Sequence, residues 1–251
     1  MHSYPKSHPT LVPGREAVLA QALAPRYDGL AHVDEVVPFD PARDGAVFDR
    51  LAMRLVTGKA HATFGLCLLH THFDLQDGEV VWERIDRAAN TLHTEVRDLE
   101  AALADGGRPT SWRCVAGAWS PLSFGRHGLT VEAEAEALFA DLAEILVGME
   151  ACDRFGLTLN GAGVRAHPFR IHVERTDEAG RRQILQPEWA PLRSRSKDLD
   201  TSWTVRPSVL SRLGIVRATG TRCKTKCKTT CVVGTVHGPW HSGEEHTGEK
   251  F

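Results

Sequence analysis

Apolar positions recur along this chain at two spacings, and they divide it into expected helices and strands. Between Asp40 and Gly58, residues Val47, Phe48, Leu51, Ala52 and Leu55 share one face at helical spacing. Asp40-Pro41 supplies an N-cap with proline at the first helical position, and Gly58 supplies a stop. A second helix is predicted over residues 86–104, where Ile85, Ala89, Leu92, Val96, Leu99 and Leu103 recur before Asp105-Gly106-Gly107. A third and longest helix covers Thr130 to Arg154, with Val131, Leu138, Leu142, Ile145 and Met149 inward. A short helix is expected from Arg15 to Ala24, ended by Pro25.

Period-two alternation marks the strands. Ala60 to Leu75 and Glu79 to Ile85 flank Asp77-Gly78, the dipeptide suited to the positive φ angles of a tight hairpin turn. Phe169 to Arg175 and Arg182 to Gln186 flank residues 177–180 as a second hairpin. Residues 111–122 read as a loop-rich stretch with two tryptophans. Residues 187–220, rich in Pro, Ser and Arg, read as irregular, with one short element around 209–216. The expected fold class is therefore α+β: a single main domain of antiparallel hairpins packed with three or four helices, at residues 15–220. A loose arm (1–14) precedes it and an irregular Cys/His-rich tail (221–251) follows, either disordered or ordered by metal.

Composition narrows the class of function. An apolar share of 42%, a charged share of 25% and a net charge of −2 describe an ordinary folded chain with no global pull toward nucleic acid. No apolar run reaches the ~20 residues of a membrane span, and the start lacks the continuous apolar stretch of a signal peptide. The expectation is a soluble, cytoplasmic protein whose partners are a small molecule or another protein. No Gly-rich phosphate loop and no Gly-x-Ser-x-Gly elbow occurs.

The first candidate chemistry lies in Leu68-Leu-His-Thr-His-Phe73. Counting outward from Asp77-Gly78 places His72 opposite Glu83, His70 opposite Ile85, and Phe73 opposite Trp82. His70, His72 and Glu83 would then share one face and the aromatic pair the other. Two imidazoles and a carboxylate form a ligand set for a divalent metal, with zinc the first expectation and iron the second. The competing reading is the wetted face of an ordinary sheet.

The second candidate is the tail. Cys223, Cys227 and Cys231 are spaced four apart among lysines, and His237, His241 and His246 follow. Lysine neighbours favour the thiolate that binds metal. Cys227-x3-Cys231-x9-His241-x4-His246, followed by Thr-Gly-Glu-Lys, resembles the ligand order of a Cys2His2 zinc finger. Its central spacer is shorter than a finger's and the usual Phe and Leu core positions are absent, so the resemblance implies a zinc knuckle and no base-reading helix. Thr225, Thr229 and Thr230 between the cysteines also resemble the core of a thioether-bridged peptide precursor. The functional expectation is a metal-binding protein, either with a His/His/Glu site on the hairpin that could serve catalysis or with a non-enzymatic zinc site in the tail.

Overall fold

The computed structural model describes residues 27, 29–33, 35–129, 133–160, 170–177, 179–189, 198–207, 216–224 and 231–233. The ordered elements are α1 (Pro41–Thr57), β1 (Phe64–Leu68), β2 (Glu79–Asp86), β3 (Thr91–Asp98), α2 (Leu99–Ala104), β4 (Arg108–Val115) and β5 (Ala118–Gly125). They continue with α3 (Ala133–Gly148), β6 (Phe155–Leu159), β7 (Arg170–Asp177), β8 (Arg182–Trp189), β9 (Asp198–Pro207), β10 (Val216–Lys224) and β11 (Cys231–Val233).

All the strands belong to one curled mixed sheet in the order β1-β6-β4-β5-β2-β3-β8-β7-β11-β10-β9. Every pairing is antiparallel except β2 with β5. The sheet closes into a barrel through a short seam, Leu66 against Trp203 and Cys67 against Ser202. Gly65 makes that approach possible, because a Cβ there would sit 2.6 Å from the Trp203 carbonyl oxygen. The expected α+β domain of hairpins packed with three or four helices is thus overturned. Strands dominate, and among the described residues two long helices lie against the sheet.

Helix α1 forms where the sequence places it. The Asp40 side chain accepts a hydrogen bond from the Ala42 N–H at 2.9 Å, Pro41 follows the cap, and Gly58 closes the last turn. Its buried stripe includes all five of the expected apolar residues. Asp40→Ala is expected to cost about 1 kcal/mol, read as a lower urea midpoint with an unchanged m-value. Helix α3 is shorter than expected and buries Leu138, Phe139, Leu142, Ala143 and Leu146. The main core joins α1 and α3 to one face of β1, β6, β4 and β9: Phe64, Leu66, Leu68, Phe155, Leu157, Leu159, Trp112, Cys114, Trp203 and Val205.

Three expectations fail for identifiable reasons. The helix over residues 86–104 is mostly strand β3, with only Leu99–Ala104 helical. An i,i+4 pair such as Leu92 and Val96 fits a strand as well as a helix, since four is also a multiple of two. The Asp86 carboxylate accepts the N–H groups of Ala88 and Ala89, Asn90 takes φ 55°, and the chain turns back to pair all of β3 with β2. Residues 111–122 are not a loop but lie mostly in the β4–β5 hairpin. Within residues 187–220, the end of β8, all of β9 and the start of β10 are strand, which overturns irregularity for those residues, while 190–197 and 208–215, with most of the expected element at 209–216, lie outside the described residues. The second hairpin forms as expected, from Asp177 opposite Arg182 to Arg170 opposite Trp189. Strand β10 runs past the expected boundary at residue 220 to Lys224, while residues 1–14 lie outside the described residues.

Candidate functional site

The hairpin that was to join His70 and His72 to Glu83 does not form. Strand β1 ends at Leu68 and pairs with β6 and β9, whereas β2 pairs with β3 and β5. A turn does form at Asp77-Gly78, with Gly78 at φ 81° and Glu79 N–H bonded to the Gln76 carbonyl at 3.0 Å. It leads from the segment 69–75 rather than from β1.

That segment is held in place on both sides. Leu69 N–H donates to the Arg154 carbonyl at 3.0 Å, Thr71 N–H donates to the Ala31 carbonyl at 3.0 Å, and Val33 N–H donates to the Thr71 carbonyl at 2.9 Å. Leu69, Phe73 and Leu75 are buried with Tyr27, Leu30 and Val81. His70 and His72 therefore share a face between buried anchors, as alternation predicts.

The two rings meet edge to face, with centroids 4.8 Å apart at 77° and Nε2 atoms 3.0 Å apart. His70 Nδ1 lies 2.8 Å from the Leu68 carbonyl oxygen. A carbonyl accepts and never donates, so Nδ1 carries the proton. With the ring neutral, His70 Nε2 presents its lone pair and His72 Nε2–H donates to it. Burial lowers the pKa of His70, with a smaller opposing effect of the Leu68 bond and a further lowering from His32. Burial also takes His72 well below the ordinary histidine value, reinforced by the charges of His70 and His32. Both rings are held neutral, the state in which imidazole binds metal. His32 comes near through its bridge with Thr71.

Glu83 lies elsewhere. Its carboxylate is 3.4 Å from His127 Nε2, and its register partners are Thr94 on β3 and Gly125 on β5. The expected three-ligand set is not brought together, and among the described residues no group of three His, Cys, Asp or Glu is placed to hold a metal ion. His127 sits 44 residues beyond Glu83, as the two numbers show, and no local motif announces it. Cys67 is near the seam, but burial pushes its thiol up to about 12, with the Glu83 charge adding, so it stays protonated. Cys114 is raised to about 11 by burial and by the Cys152 thiol beside it.

Of the tail residues, Cys223 on β10 and Cys231 on β11 are direct register partners, and Cys231 also stands opposite Glu174 on β7. Cys227, His237, His241 and His246 lie outside the described residues. No protein family, curated protein or solved structure matches this chain. No helix among the described residues is long and apolar enough to cross a membrane.

Proposed function

We propose that the chain binds a divalent transition-metal ion through Nε2 of His70 and His72. The supporting observation is the neutral pair itself, His72 buried and His70 partly so: two Nε2 atoms 3.0 Å apart, with the Nδ1–H of His70 anchored on a backbone carbonyl. Metal-ligating histidines are oriented by this same outer hydrogen bond. Holding an ion at both Nε2 atoms would require His72 to carry its proton on Nδ1 instead of Nε2.

A pair of imidazoles suits zinc(II), copper(II), nickel(II) or iron(II) alike, and copper(II) serves as the spectroscopic probe. With two protein ligands the remaining coordination positions would fall to water or a small-molecule ligand.

A second reading keeps a zinc site in the tail, supported by the register that sets Cys223 against Cys231. Point variants separate the two without cutting into β10. Calorimetric titration of the full chain with copper(II) is expected to show one strong site that His72→Ala weakens at least ~10-fold and that Cys223→Ser/Cys231→Ser leaves unchanged. Circular dichroism on each variant checks that the fold persists. Loss of binding in the cysteine variant with retention in His72→Ala would move the metal to the tail.

A further inference from the structure

The wall where β2 and β3 meet the end of β5 and the stretch after α2 encloses a cleft of about 440 Å³ that the histidine pair does not use. Four guanidinium groups line it, those of Arg84, Arg87, Arg97 and Arg126, against the carboxylates of Glu83 and Asp105. We infer that this cleft binds a phosphorylated small molecule, with its phosphate held by Arg84 and Arg87.

Part of the charge at this wall is already satisfied within it. Asp105 accepts from Arg97 at 2.9 Å and lies 3.5 Å from Arg126, whose Nε also donates to the Asp105 carbonyl at 3.1 Å. Arg97 is further bonded to Glu95 at 2.8 Å, and its guanidinium lies over the Trp82 ring at 4.8 Å. That half of the wall is internally neutralised. Glu83 is engaged opposite His127. Asp86 lies near Arg84, but one of its carboxylate oxygens is taken by the N–H groups of Ala88 and Ala89.

Arg84 and Arg87 differ from the rest. Among the described residues neither makes a side-chain hydrogen bond or an ion pair, and both line the cleft. Two guanidinium forks with unspent donors match the three oxygens and near-double negative charge of a phosphate monoester. A single carboxylate would leave one fork unused. His127 Nε2, shielded from solvent and 3.4 Å from the Glu83 carboxylate, adds a further polar atom at the same wall. The volume falls in the ~300–1,000 Å³ range of small-molecule sites, larger than phosphate alone requires. An organic portion would rest on Ile85 and the Trp82 edge.

The probes are glycerol 2-phosphate and succinate, titrated calorimetrically into the full chain at low salt. The phosphate monoester is expected to bind one per chain, more tightly than succinate, and more weakly as sodium chloride is added. Arg84→Ala/Arg87→Ala should weaken that binding at least ~10-fold. Both side chains are exposed, so the fold should persist, while Arg50→Ala on α1 should change nothing. No saturable binding, equal weakening by Arg50→Ala, or tighter binding of succinate would each overturn the assignment.

Discussion

Phe48→Ala destabilises the protein by about 4 kcal/mol, the largest expected effect of any single truncation here. Phe48 is fully buried on α1 and sits inside an aromatic group, 5.4 Å from the Phe39 ring, 5.2 Å from Trp203 and 6.3 Å from Phe155. Those partners come from the stretch before α1, from β9 and from β6, so one ring joins the helix to two strands beside the barrel seam. Alanine is the better helix former by roughly 0.5 kcal/mol, so the loss reports packing and not helix propensity. Urea unfolding measures it directly. A loss below about 2 kcal/mol would mean that the site collapses around the cavity and that the ring is not fixed by its neighbours.

Asp44→Ala comes next, at about 3 kcal/mol. Its carboxylate is almost fully buried and accepts from Arg43 Nη2 and Arg154 Nη2, both at 2.7 Å, and from the Asp40 N–H at 2.8 Å. Arg154 also donates to the Pro38 carbonyl at 2.8 Å, so this one carboxylate ties the start of α1 to the strand entry of β6. Removing it strands the guanidinium of Arg154, which is partly open to water, and this puts the cost at the low end for a broken buried pair. Burial alone would raise this pKa, but the bonds from Arg43, Arg154 and the Asp40 N–H outweigh it and hold the carboxyl at about 2. The folded value is thus below the unfolded one, so the contribution is complete above about pH 4 and disappears as pH falls toward 2. Stability measured from pH 5 down to pH 2 should fall more steeply in the natural chain than in Asp44→Asn. Parallel curves would show that the carboxylate gains nothing from its arginines.

Local signals carried α1, most of α3 and the second hairpin, because cap, stripe and turn all lie within a few residues of each other, whereas the stripe over 86–104 misled. Asp40-Pro41, the stripe through Leu55 and Gly58 are enough for α1. Residues 182–186 likewise need only the turn before them to find β7. The barrel was not legible, since its order depends on partners far apart in the chain. Phe64 pairs with Leu159 and Leu66 with Trp203, and nothing near β1 names either one. Asp77-Gly78 marks a true turn, yet a turn specifies only where the chain reverses and not which strand it reverses from.

The site was half legible for the same reason. Alternation alone places His70 and His72 on one face, and their contact survives the loss of the hairpin because buried Leu69 and Phe73 anchor the segment on either side. Glu83 depended on a register between two strands that do not pair. The Leu68 carbonyl that sets the tautomer of His70 is two residues away but carries no side-chain signature. The arginines of the cleft come from β2, its following turn, β3 and the turn after β5, and they gather only once the sheet has curled.

The central claim is that two imidazoles from one short segment bind the same ion. Electron paramagnetic resonance of the full chain with one equivalent of copper(II) reads the coordinated nitrogens directly. The account predicts two imidazole nitrogens in the equatorial plane of the natural protein, one in His72→Ala, and none in His70→Ala/His72→Ala. A spectrum that keeps its nitrogen couplings in the double variant, or that shows sulfur ligation instead, would contradict it.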